Sequence, residues 1–165
     1  MNIIEILKEE HDNILIFLEK LHKKCILFLT EDTIDIDGLR EDIQFIRSYA
    51  DAKHHQKEEK ILFQVMTEQL GMVAVNLVQH GMLVEHDLAR LHVMELEKAV
   101  NAYEKKPSAE EKLNILANAM GYYYLLQRHI EKENGVVYPF AEKNLSAELM
   151  DDMNKRAVEY EKGSK

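Results

Sequence analysis

Apolar side chains recur along most of this chain at alternating steps of three and four, the spacing that lines one face of an α-helix. From residue 2 to about 29, Ile4, Leu7, His11, Ile14, Leu18, Leu21, Cys25 and Phe28 form one such row. A polar link from Thr30 to Gly38 follows, and a second helix is expected over about 38–70, ending near Gly71. A third, over about 73–105, carries Val75, Gln79, Met82, His86, Ala89, Val93, Leu96 and Val100, and Lys106-Pro107 breaks it. Ser108 and Glu111 read as a capping box opening a fourth helix with Ile115, Ala119, Tyr122, Leu126, His129 and Glu133 on its row. Asn134-Gly135 is expected to stop that helix, and a shorter amphipathic helix over about 146–161 to pack across the others. Links this short favour sequential antiparallel neighbours. The predicted fold is therefore all-α: an up-down-up-down four-helix bundle over about 2–134, with a short additional C-terminal helix.

Composition changes this picture little. The 165 residues are most simply one domain, 46% hydrophobic and 31% charged, large enough to bury a core without staples. A formal charge of −9 argues against nucleic acid and against anionic membrane surfaces. No apolar run reaches membrane-spanning length, and the N-terminus, with Glu5, Glu9 and Glu10, is unlike a secretory leader. With Cys25 as the single cysteine, on an apolar row, the chain reads as cytoplasmic and Cys25 as buried filler.

The chemistry lies where polar residues interrupt the apolar rows. His55 with Glu59 and His129 with Glu133 are both His-x-x-x-Glu, which puts an imidazole and a carboxylate on one helix face. At about 1.5 Å of rise per residue, His11 and His55 both fall roughly 27 Å from the end where helices one and two join. On the same scale His86 falls near 28 Å and His129 near 30 Å, whereas His22 and His92 lie about 10–20 Å away. Four imidazoles at one level with two carboxylates would be costly to bury without a shared partner. Imidazole and carboxylate without thiolate suit iron, manganese or zinc. Helix two is open by one residue, because His54 and Glu58 form an overlapping pair; periodicity leans towards His55 and Glu59.

His11 in Glu-His-Asp, the His55–Glu59 segment followed by Ile61-Leu62-Phe63, His86 in Glu-His-Asp, and His129 and Glu133 before Tyr138-Pro139 together resemble the hemerythrin-like (HHE cation-binding) family. That resemblance implies two iron ions in a non-haem di-iron centre with carboxylate bridges, with manganese or zinc as substitutes. It assigns His11 as the first-helix ligand, His55 and Glu59 as the second-helix pair, His86 on the third helix, and His129 with Glu133 on the fourth, the two glutamates bridging. Two positions depart from the family pattern. Hemerythrins proper carry His-x-x-x-His on the third helix, and the earlier position here is Met82. This leaves four histidines and two glutamates where the family has five histidines and two carboxylates, unless His80, Glu58 or Glu85 completes the site. The fourth-helix carboxylate is Glu133, four residues after His129, whereas hemerythrins proper commonly place an aspartate five residues on, where Asn134 stands here.

The expected function is that of a soluble di-iron protein binding O2, or reacting with O2, peroxide or nitric oxide, in oxygen binding, sensing or detoxification. A di-iron peroxidase or ferroxidase, or an iron store or sensor, would use the same site. No nucleic acid or membrane partner is expected, and a redox partner is left open. A ferritin-like bundle fits less well, since it calls for Glu-x-x-His on two helices and only Glu19 and His22 have that spacing.

Overall fold

A computed structural model describes residues 2–163, which form five helices. The first, α1, spans Ile3–Glu31. Asn2 opens it with a full capping box: Glu5 N–H donates to Asn2 Oδ1 (2.9 Å), and Asn2 N–H donates to Glu5 Oε2 (2.8 Å). Asp32 ends it in the left-handed region, at φ 54°. Helix α2 runs over 36–69 from its cap at Asp35, and α3 over 71–105. Only Leu70 separates them, and the chain reverses through Gly71 at φ 72°. Helix α4 runs over 109–144 and α5 over Ala147–Gly163. Ser108 caps α4 by accepting from Glu111 N–H at 3.1 Å.

Helix contacts run from α1 to α2, α2 to α3, α3 to α4 and α4 back to α1, so the four long helices enclose one core as a bundle. Close approach of α3 and α4 depends on Gly121, where a Cβ would lie 2.5 Å from the His92 ring. Among the described residues, no helix is long and apolar enough to cross a membrane. Cys25 is buried, and burial pushes its thiol up to about 11.

Asn134 and Gly135 do not stop the fourth helix. They lie inside a π-helical stretch, Glu133–Val137, after which α4 continues to Asn144. The wider i→i+5 turn keeps the backbone paired, with Tyr138 N–H donating to Glu133 O, while Val137 and Tyr138 reach the core. Further π-helical stretches occupy Ile46–His55 and Glu58–Leu62 of α2 and Val78–Met82 of α3.

The core has two apolar parts. One gathers Ile14 to Phe28, Leu39 to Ala50, Ala89 to Val100 and Ile115 to Ile130; the other gathers Ile3 to Leu7, Ile61 to Met66, Ala74 to Met82 and Val137 to Ala157. Apart from Asp42, which pairs with Lys24 beside the first part, the buried polar residues of the four long helices fall between them: Glu10 and His11, then His54, His55, Lys57 and Glu58, then His86, then His129 and Glu133. One polar layer thus crosses an otherwise apolar bundle.

A Cβ at Gly71 would meet nothing within 4 Å, so only the backbone resists a side chain there. Gly71→Ala is expected to lower stability by about 1 kcal/mol through the left-handed conformation alone. The shift of the denaturant midpoint at unchanged slope measures it; an unmoved midpoint would mean that the turn relaxes.

Candidate metal centre

The polar layer resolves into two donor groups, His55, Glu58, His86 and His129, and His11, His54, Glu58 and Glu133. Within each group the donor atoms lie within 4.8 Å of one another, and Glu58 belongs to both. Its Oε2 lies 3.6 Å from His54 Nε2 and 3.5 Å from His86 Nε2. Glu133 also spans the groups, with Oε2 3.1 Å from His11 Nε2 and Oε1 3.2 Å from His129 Nε2. His86 Nε2 and His129 Nε2 face each other at 3.2 Å. Five imidazoles and two carboxylates therefore converge, each 0–2% exposed.

The outer nitrogens are held one by one. His54 Nδ1 lies 3.0 Å from Glu10 Oε2 on α1, and His86 Nδ1 lies 2.7 Å from Glu59 Oε1 on α2. His129 Nδ1 lies 2.8 Å from Glu85 Oε2 on α3, and His11 Nδ1 lies 2.9 Å from Asn134 Oδ1 on α4. Each helix thus orients an imidazole of the next, and the circuit closes on itself. His55 is faced from its own helix by Asp51, 3.6 Å away. Arg90 joins two of these supports, donating to Asp51 (2.8 Å) and to Glu59 (2.7 Å). A carboxylate or amide on Nδ1 fixes the ring and leaves Nε2 for a metal, as metal-ligating histidines are ordinarily supported.

What those supports leave open is decisive. His54 Nε2, His55 Nε2, Glu58 Oε2 and both Glu133 oxygens are buried without a hydrogen-bond partner. Buried polar atoms are ordinarily satisfied, and orphans aimed at two common points call for cations. Across residues 2–141 the sequence matches the model of the hemerythrin HHE cation binding domain. The chain belongs to that family. No curated protein matches it.

This hemerythrin-like site differs from the sequence expectation at α2. Glu59, expected beside His55 as the bridging carboxylate, is outside both groups; its carboxylate turns to His86 Nδ1 and Arg90. Glu58 takes the shared place, and His54 joins His55 inside the core. The cause is the π-helical backbone of 46–55 and 58–62, whose wider turn moves side chains off the 3.6-residue pattern. His11, His55, His86, His129 and Glu133 do come together. His80 does not: it is exposed, within the π-helical stretch of α3, while Met82 joins the apolar core. The overlapping pair at 54 and 58 was the visible signal for His54 and Glu58. For Glu10 and Asn134 the available signal was adjacency, since each is next in sequence to a ligand candidate on its own helix.

Charge divides the histidines. Burial, reinforced by His11 and His86 against the pull of Glu58, lowers His54 to about 3. Burial and the neighbouring His86 hold His55 well below the usual range. For His129 burial also acts downward, but Glu133 and Glu85 outweigh it and lift the group to about 9. His86 and His11 are raised in the same way, by Glu133, Glu58 and Glu59 and by Glu133 respectively, against burial. Burial opposes the Glu133 charge, yet His129, His11 and His86 hold that carboxyl well below the usual carboxylate range.

The ligand and its outer support are separable by mutation. Glu58→Ala should abolish cation binding, because it removes the donor common to both groups, whereas Glu59→Ala should weaken it about 10–100-fold. Metal titration of both variants decides; the reverse ranking would restore the 55/59 register. A second expectation concerns pH. A histidine raised from 6.5 to about 9 on folding contributes stability that is complete below about pH 6.5 and lost as pH climbs through about 9. The melting temperature of chelator-treated protein should therefore fall across that window, and that of metal-loaded protein should fall less. A flat profile after chelation would contradict a proton held at His129.

Proposed function

We propose that this hemerythrin-like chain holds two iron ions and uses them to bind O2, or to react with O2, peroxide or nitric oxide. The observation that carries the reading is the set of orphaned Nε2 and carboxylate atoms shared between a three-histidine group and a two-histidine group. His55, His86 and His129 would hold one ion, His11 and His54 the other, with Glu58 and Glu133 between them. Nitrogen and oxygen donors without thiolate suit iron, with manganese or zinc as substitutes. Bound there, an iron pair supplies two electrons and coordination positions that the protein leaves open.

The chain's own part is positioning and exclusion. With Glu58 and Glu133 counted for both ions, the two-histidine side would offer one protein donor fewer and so be the more open of the two. Tyr138 borders it: its hydroxyl donates to Glu58 Oε1 at 2.5 Å and lies 3.3 Å from His11 Nε2. Burial, with Glu58 next to it, pushes the Tyr138 hydroxyl well above its ordinary value, so it keeps its proton beside the site. Apolar packing on both sides of the layer keeps bulk water away, which favours a small neutral ligand over an ionic substrate. A cavity of about 100 Å³ lies on the other, three-histidine side of the layer, bordered by His55, Asp51, Arg90 and Tyr122.

Oxygen binding is favoured over the catalytic alternatives by His54. Counting Met82 as a lost ligand leaves four imidazoles, but His54 returns the total to five, the number associated with hemerythrins proper. A peroxidase, a ferroxidase or an iron store remains the competing use of the same donors. Protein reduced without air, carrying two irons per chain, is expected to change its visible spectrum on exposure to O2 or nitric oxide and to recover when the gas is removed. A loaded protein that stays spectrally silent would end the proposal. Steady consumption of O2 or peroxide would assign the site to the enzyme class instead.

A further inference from the structure

The family match ends at residue 141, and α5 lies beyond it. Yet α5 reaches the metal layer through three side chains that contact α2. Arg156 Nη2 donates to the backbone carbonyl of Lys60 at 2.7 Å and to Gln64 Oε1 at 3.1 Å. Tyr160 donates its hydroxyl proton to the carbonyl of Ala52 at 2.5 Å. Glu161 pairs with Lys57, and with Lys53 at 3.4 Å. Ala52 and Lys60 both belong to the π-helical stretches of α2, on either side of His54, His55 and Glu58.

Lys57 makes the contact with Glu161 consequential. It is fully buried, and its Nζ donates to Glu10 Oε1 at 2.5 Å while Glu10 Oε2 holds His54 Nδ1 at 3.0 Å. A buried ammonium needs its counter-charges. With Glu161 present, Lys57 has one carboxylate from α5 and one from α1, and Glu10 can serve His54 as well. Without Glu161, the Lys53 and Lys57 ammoniums and the His54 ring all depend on Glu10.

We infer that α5 is a positioning element for the two-histidine half of the centre: Tyr160 and Arg156 hold the widened turns that bring His54 inward, and Glu161, through Lys57 and Glu10, fixes the His54 ring. This rests on the reading that the two donor groups hold metal ions. His54 is the imidazole that makes up for Met82, so the support of α5 falls on the ligand by which this chain departs from the family pattern. The three-histidine half has no such carboxylate relay from α5: its outer supports are Asp51, Glu59 and Glu85, the first two joined by Arg90.

The test combines Tyr160→Phe with Glu161→Gln in the full chain. In Fe(II) or Zn(II) titrations the double variant should bind one ion as the wild type does and the second about 10–100-fold more weakly. Glu161→Asp should recover part of that loss. Asn154→Ala is the control, because Asn154 holds α5 to α1 by accepting from Ile3 N–H at 2.8 Å and touches no part of α2 in that role. It should leave both affinities in place. Equal weakening of both ions in the double variant, or selective loss of one ion in Asn154→Ala, would overturn the inference. Amide hydrogen exchange of chelator-treated protein gives a reading independent of metal. The double variant should exchange faster over 52–62 and unchanged over 129–137, and unaltered exchange over 52–62 also overturns the inference. If exchange responds but wild-type protein takes up no metal, the support by α5 stands and the metal reading fails.

Discussion

Five imidazoles in the dry middle of this bundle call for partners on their nitrogens, since an unpaired buried polar atom costs about 1–3 kcal/mol. The structure divides that requirement between two directions. Outward, four of the rings are met by a side chain from the preceding helix, Glu10 for His54, Glu59 for His86, Glu85 for His129 and Asn134 for His11. Inward, the second nitrogens converge with Glu58 and Glu133. Because each support comes from a neighbouring helix, the arrangement also fixes how the four helices are set against one another. Site geometry and bundle geometry are thus one constraint, and the apolar clusters above and below fill the space it leaves.

Much of this was legible in the sequence, and the limit has a physical cause. The apolar rows predicted the long helices, because burial of one face follows the 3.6-residue period. Counting rise per residue put His11, His55, His86 and His129 at one level, and the structure joins them there. What periodicity could not supply was the backbone between positions 46 and 62, where the helix widens. An assumed regular turn sends Glu59 inward with His55; the wider turn keeps His55 there, puts Glu58 in the place of Glu59 and brings His54 in as well. The same error set a helix end at Asn134-Gly135, residues that ordinarily terminate an α-helix but here pass through a π turn. Glu59, His54, Glu58, His80 and Asn134, where the expectation and the structure differ, all lie in π-helical stretches. The contacts of α5 were illegible for another reason: Glu161 and Lys57 are 104 residues apart and nothing local pairs them.

Met82 and His54 belong to one account. A second histidine on α3, four residues before His86, would contribute from that helix; with Met82 there, the position joins the apolar core. Adjacent histidines on α2 replace it, though neighbours on a regular helix point about 100° apart and do not share a cavity. Widening the turn brings both inward. The side chains of α5 that bond to Ala52 and Lys60 lie along those widened turns.

The electrostatics explain how such a layer tolerates its own carboxylates. Glu58 and Glu133 are fully buried, and two anions in one apolar cavity would repel each other and bear the full cost of desolvation. His11, His86 and His129 are the rings whose proton affinity rises, and each faces Glu133. His54 and His55, farther from that carboxylate's oxygens and close to other rings, stay neutral. Protons can therefore sit beside the very oxygens that would meet cations. Cation uptake then exchanges one kind of positive charge for another at nearly the same positions, which couples it to proton release. The carboxylates are thus compensated in either condition.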